Sequence, residues 1–509
     1  MSEPTHIIEK MVVEINTDSQ ESAYAIKNDI GEFLEKELFP RLEKILDQFD
    51  YTGGVVRFNS LNLEIAPLRF SNVKDIEPEI TRKLAEKLES SVGLVNGKKV
   101  ETFEGEKVES ISTTGNRENT FLFFLENGYL PWFGKEEYIA ELTDLQNWQK
   151  SLTESNFSDR LRAVLQKKTE AISRFVLQFE PEVAEHFLLQ IFPEFRDVKK
   201  WMLTNTEKQT SQFRRRFLQF LLLVSTGHHE KHVLQTASDL LQMVYNAESS
   251  ASEKRKERAV SEVKEILGKV VDLLMKVEPV RKDELEKIRR LSHFPKFGKP
   301  KPADLKSDTN EAFVPKESTN GKGNLKDISA LEKDRGNSAF LEEEGEIAVS
   351  NAGLILLHPF LKPFFRTIEI TNKKGIITEA RRHLAVQMVH YLATGEEDFF
   401  EGNLVFGKFL CGIPLETPVP RESLLTQHEK NEANLLLDEV IKHWAALKNT
   451  SPDGLRQMFL QRNGKLFKKE KNYKLVVERK AQDILLEKLA WNISLVKIPW
   501  LKELLYVDW

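Results

Sequence analysis

The chain has one cysteine, Cys411, in 509 residues. No intrachain disulfide can form, and folding in a reducing cytoplasm is expected. Long apolar runs are also missing. The most apolar stretch, F-L-Q-F-L-L-L-V at 217–224, falls far short of the ~20 residues a membrane-spanning helix needs, so no stable membrane insertion is expected. The opening M-S-E-P-T-H-I-I-E-K has no basic region followed by an apolar one, and no secretory signal is expected. Nor does one sign of charge dominate. With 74 Lys and Arg against 79 Asp and Glu, the net charge is −5, which gives no reason to expect nucleic acid or an anionic membrane as partner.

Signatures of catalysis and cofactor binding are equally scarce. His228-His229-Glu230-Lys231-His232 puts His228 and His232 on one helix face, as a two-histidine metal site would. The zincin arrangement needs its glutamate directly after the first histidine, where His229 stands. No further Cys/His pair follows at metal spacing, so exposed or structural histidines are the plainer reading. Gly97-Lys98-Lys99 and Gly321-Lys322-Gly323 lack the spacing and hydroxyl of a phosphate loop. Cys411 lies in F-L-C-G-I-P-L, where a thiol acts as a small hydrophobe. A nucleophilic cysteine would need His390 or His443 beside it in space. Glu342-Glu343-Glu344 is a solvated run of like charge. Neither catalytic residues, metal ligands nor cofactors are expected.

What is present is helical periodicity, and the fold expected is mainly α. The length suggests about three domains, with boundaries at 1–118, 119–291 and 345–509 and a linker between the last two. The first reads as a small strand–helix–strand α/β cap. Met11, Val13 and Ile15 alternate as in a half-buried strand. Apolar residues from Ala23 to Phe49 recur at three and four on a helix, and 55–65 returns as a strand with a bulge near Ser60. Residues 76–93 give a charged amphipathic helix, and 94–118 read as polar and turn-rich.

The helical middle, 119–291, carries clear punctuation. Asn127-Gly128 stops an apolar helix, Glu180-Pro181 separates two more, and 253–290 holds an apolar stripe suited to a bundle or a second copy. Residues 292–344, rich in Lys, Pro, Gly, Ser and Asn without apolar period, read as a flexible linker. The C-terminal domain is read as mainly helical with one short hairpin. Ser451-Pro452-Asp453 opens a helix with N-cap, first-turn proline and first-turn acid, and 473–478 is a strand. Trp444, Trp491, Trp500 and Trp509 stand among aliphatic residues, so the segment should be docked rather than frayed. Tryptophan is enriched in binding hot spots. Trp132 and Trp509, each at an element end, are the leading candidates for partner contact, with Trp500 and Trp491 beside them.

Several long strings carry a family likeness: H-I-I-E-K-M-V-V-E-I, R-F-N-S-L-N-L-E-I, F-L-E-N-G-Y-L-P-W, N-A-G-L-I-L-L-H-P-F-L, H-W-A-A-L-K-N-T-S-P-D-G-L-R-Q-M-F-L-Q-R-N-G and K-I-P-W-L with the closing V-D-W. In these the chain resembles the tape measure family of phage-tail-like contractile injection systems. The resemblance implies a non-enzymatic structural component that sets or nucleates tail-tube length. It implies synthesis in the cytoplasm and residence in the tube lumen, with the tail-tube protein and baseplate hub or spike proteins as partners. Self-association through helical segments is a further expectation. Two alternatives stay open: a cytoplasmic assembly chaperone for tube or hub subunits, and a tail-associated hydrolase.

Overall fold

A computed structural model describes residues 6–9, 11–16, 24, 30–48, 54–65, 76–95, 101–103, 106–154, 156–200, 211–247, 252–291, 346–447, 449–469 and 471–509. Contacts group the chain into two compact units, one of Met1–Phe121 with Trp132–Leu142, the other of Leu122–Pro131 with Thr143–Trp509. The linker expected at 292–344 lies outside the described residues.

The first unit is a small α/β arrangement. A π turn at Leu34–Leu38 leads into helix α1 (Phe39–Gln48). The wider turn moves the apolar stripe by one position, so Phe33, Leu38 and Leu42 become the buried set, with Leu84 and Leu88 of α2 (Glu77–Val95) against them. Strand β1 (Val55–Phe58) is antiparallel to β3 (Glu106–Ile111), which also pairs β2 (Glu101–Phe103) in the order β1-β3-β2.

Three sequence expectations are corrected here. Residues 11–16 form no strand, and Met11, Val12 and Val13 are exposed, Val12 by 76%. Apolar side chains of both parities leave that segment no single face to bury. The partner of β1 is instead β3, from the stretch read as polar and turn-rich, and it lies between β1 and β2 as the central strand. Residues 61–65 also lie outside any strand.

Helix α3 (Thr113–Asn127) ends at Gly128, whose φ of +80° makes the left-handed cap, with its N–H on Phe124 O at 2.8 Å. Helix α4 (Glu136–Thr143) follows. The helical run of the second unit contains α5 (Leu145–Glu154), α6 (Phe157–Lys167), α7 (Thr169–Gln178) and α8 (Pro181–Ile191), with Pro181 at the first helical position as expected. Next come α9 (Ser211–Thr226), α10 (Glu230–Ala247), α11 (Glu253–Val277) and α12 (Lys282–Leu291). Helix α9 carries the apolar stretch 217–224. It is central, packed on α7, α8 and α10 with Phe217, Leu218, Leu222 and Val224 buried, because its stretch 217–224 is apolar almost all round and has no face to give to water. The stripe of α11 (Val260, Val263, Leu267, Val270, Val271 and Leu274) is buried in this bundle, where α11 meets α10 and α12.

The C-terminal part starts with β4 (Glu346–Val349), then α13 (His358–Thr367), α14 (Arg382–Thr394), α15 (Val405–Leu410), α16 (Gln427–His443) and the short α17 (Pro452–Leu455). Ser451 caps α17, its hydroxyl accepting from Gly454 N at 3.1 Å. The expected hairpin is β5 (Gly464–Lys469) with β6 (Asn472–Val477). It sits in a larger sheet with β7 (Leu495–Val496) and β8 (Leu505–Asp508), in the order β4-β5-β6-β8-β7, with β6 and β8 parallel. Ile347, Leu466, Leu475 and Leu505 turn inward to one apolar core.

Gly128 is held by more than its φ, since a Cβ there would lie 2.5 Å from Arg174 Nη2 and 3.0 Å from Leu415 O. Gly128→Ala should cost about 2 kcal/mol or more. Gly268→Ala, inside α11 with nothing within 4 Å, should stabilise by roughly 0.5–1 kcal/mol. Urea unfolding midpoints moving in opposite directions would bear this out, and equal midpoints would refute it.

Candidate functional site: a buried ionic cluster and a proline-rich strap

Three ionisable side chains meet in the second unit with no exposure at all: Arg174 of α7, Lys408 of α15, and Glu401 in the 3-10 turn leading into α15. Glu401 Oε1 accepts from Lys408 Nζ at 2.7 Å and from Arg174 Nε at 3.1 Å. Its other oxygen has no hydrogen-bond partner. Burial pushes the Lys408 amine below its ordinary value, against the pull of Glu401. Isolated charges would not survive here, because desolvation costs several kcal/mol per ion. Both cations also donate to backbone oxygens. Lys408 donates to Leu415 O at 2.9 Å, and Arg174 donates to Leu125 O and to Glu416 O, the latter at 2.5 Å.

Those oxygens belong largely to one segment, 414–424, whose sequence P-L-E-T-P-V-P-R-E-S-L explains the arrangement. Pro414, Pro418 and Pro420 have no N–H, so the strand cannot build a ladder of its own. Its carbonyls still need donors when buried. Long side chains supply them: Gln178 of α7 to Val419 O at 2.5 Å, and Gln387 of α14 to Pro420 O at 2.8 Å and Glu422 O at 3.0 Å. Gln387 also accepts the N–H of Leu424 at 2.7 Å. Arg215 of α9 makes an ion pair with Glu422 at 3.2 Å. Phe124 of α3 packs against Phe400 at 4.7 Å between ring centroids.

The tryptophans read from the sequence as partner contacts divide between the two units. Trp132, in the first, is 40% exposed and edge-on to Phe133. Trp491, Trp500 and Trp509 are half-buried around the C-terminal core, and each donates its indole N–H internally. Trp491 donates to Leu356 O at 3.0 Å, Trp500 to Leu410 O at 2.6 Å, and Trp509 to Asp483 Oδ2 at 3.0 Å. Asp483 also accepts from the fully buried Arg462 at 2.9 Å. Trp444, packed on Phe459, is buried.

The histidine cluster stands at the start of α10. His228 Nε2 lies 2.6 Å from Leu165 O, and His229 Nδ1 accepts from Lys231 N at 3.2 Å. Burial, then the neighbouring histidines, hold the His232 imidazole below its ordinary value. Among the described residues no group of three or more His, Cys, Asp or Glu is placed to hold a metal ion. Cys411 is buried, and burial pushes its thiol far up. His390 is spent on Asp398 O at 3.2 Å, and His443 lies against Phe360. Among the described residues no helix is long and apolar enough to cross a membrane.

The ionic cluster and strap have no sequence signal of their own, because Arg174 and Glu401 are 227 residues apart. The available hint was the density of proline at 414–420 beside apolar residues.

A family model described as contractile injection system tape measure protein matches residues 5–509. No curated protein and no solved structure matches the chain.

His383, at the start of α14, is pushed down to about 4 by burial and by the fields of Arg382 and Lys408. The unfolded imidazole, near 6.5, therefore holds more protons between those values. Stability should be full above pH 6.5 and fall on acidification toward pH 4, by on the order of 3 kcal/mol. In His383→Gln that share of the slope should vanish. A variant whose unfolding free energy tracks the parent across this range would disprove the assignment.

Proposed function

The chain belongs to the contractile injection system tape measure protein family, and on that footing we propose that it nucleates the tail tube as a folded length-setting component. The carrying observation is the state of the longest helix among the described residues. Helix α11 has 25 residues and reaches only ~37 Å. Its apolar stripe is buried against its own bundle. Stretching the helical segment along a lumen would strip that stripe of its packing, at ~25 cal/mol for each Å² of apolar surface exposed. A bundle that stays folded at one end of the tube keeps it.

In this reading the protein has no enzymatic role. It is made in the cytoplasm, ends in the tube lumen, and contacts the tail-tube protein and the baseplate hub or spike. Trp132 is the contact best supported, since an exposed indole beside another aromatic ring suits a hot spot. Trp491, Trp500 and Trp509 offer their remaining exposed surface from the C-terminal part.

Tube length by electron microscopy tests the reading in particles carrying a duplicated 253–290 segment. A stretched ruler would lengthen the tube by ~57 Å, whereas nucleation predicts normal tubes with the variant present in purified particles. A matching increase in length overturns the proposal. Normal tubes lacking the chain would favour the chaperone. Trp132→Ala should lower incorporation into particles with an unchanged melting temperature, and normal incorporation would retire Trp132 as a contact.

A further inference from the structure

The buried apolar core of the C-terminal part is nearly self-contained. Its fully buried members all lie between Ile347 and Leu505. Among the described residues, Tyr129 is the only hydrophobic side chain from outside 346–509 that packs against it. Apart from Tyr129 and the Phe124–Phe400 contact, the connection described above between the helical run and this core is polar. Arg174, Gln178 and Arg215 come from the helices, and they take Glu401, the carbonyls of Glu416 and Val419, and the Glu422 carboxylate.

Polar and apolar junctions open at different cost. Parting apolar faces exposes surface that water disfavours. Parting a junction of carbonyls, guanidinium and carboxylate returns each group to water, which replaces its hydrogen bonds. A buried ion cluster also compares poorly with an apolar filling of the same volume, and here Glu401 Oε2 is left without a hydrogen-bond partner. Such a junction selects one docked geometry without holding it tightly. The strap adds the mechanical element. It is gripped from one side by Arg174 and Gln178, and from the other by Lys408 and Gln387.

We propose that the strap 414–424 and the Arg174–Glu401–Lys408 cluster form a releasable clasp, through which the helical run undocks from the C-terminal core while that core stays folded. This inference stands on the packing alone and does not depend on the tape measure reading.

Hydrogen–deuterium exchange followed by mass spectrometry on the full chain tests it, comparing the parent with Glu401→Gln and Gln178→Leu. Exchange in peptides covering α7 and the strap should rise at least tenfold in each variant. Peptides covering α16, β5 and β6 should keep the parent's rates. Gln178→Leu removes one neutral bond and leaves every charge in place, so it keeps the test available if Glu401→Gln fails to fold. A parallel rise in β5 and β6 would show that cluster and core unfold as one unit, and the proposal would fail. Unchanged exchange in the strap would equally overturn it, since the strap would then be held by something else.

Discussion

The constraint on which much of the second unit depends is the hydrogen-bond deficit of a proline-rich segment. A buried strand normally pairs its carbonyls with a neighbouring backbone. Residues 414–420 contain three prolines and cannot join such a ladder, yet their carbonyls lie beside two packed regions. The deficit is met by the longest donors available: a guanidinium, an ammonium and two amides. Those donors bring charge with them, and Glu401 balances part of it. The ionic cluster is thus a consequence of the strap, and the cap at Gly128 is a consequence of both, since no Cβ fits between Arg174 and Leu415.

This explains which parts of the chain could be read in advance. Local chemistry was legible. Asn127-Gly128, Glu180-Pro181 and Ser451-Pro452-Asp453 each mark a boundary through one or two residues, and the structure places caps and first-turn prolines there. Long stripes were legible too, as in α11. Residues 11–15 form no strand because Val12 breaks the alternation and puts apolar side chains on both parities. The hairpin at 101–111 carries no strand signal because charged residues outnumber apolar ones in it, so its composition resembles a loop. The clasp was invisible because Arg174 and Gln178 lie more than 200 residues from Glu401 and the strap, and each of its polar side chains, taken alone, looks like an ordinary surface charge or amide.

The tryptophans illustrate a different limit. Their sequence setting indicated a docked end, and strand β8 and the Trp509–Asp483 bond supply it. What the setting could not resolve was how each indole divides between inside and outside. In Trp491, Trp500 and Trp509 the polar edge is used internally, and only partial apolar surface remains for anything else. The family to which the chain belongs is a structural one.

The order of the C-terminal sheet bears on how the chain is made. Strand β8 lies between β6 and β7, so β7 has no place in the sheet until residues 505–508 arrive. Strand β6 ends at Val477 and β8 begins at Leu505, so about 2–6 s pass on the ribosome between them, at 5–20 residues per second. Throughout that interval the far edge of β6 is open, with Tyr473 and Leu475 lacking their cross-strand neighbours. The nascent chain thus passes through a period in which its newest sheet can pair with the wrong strand, and the risk ends only when the last strand clears the exit tunnel.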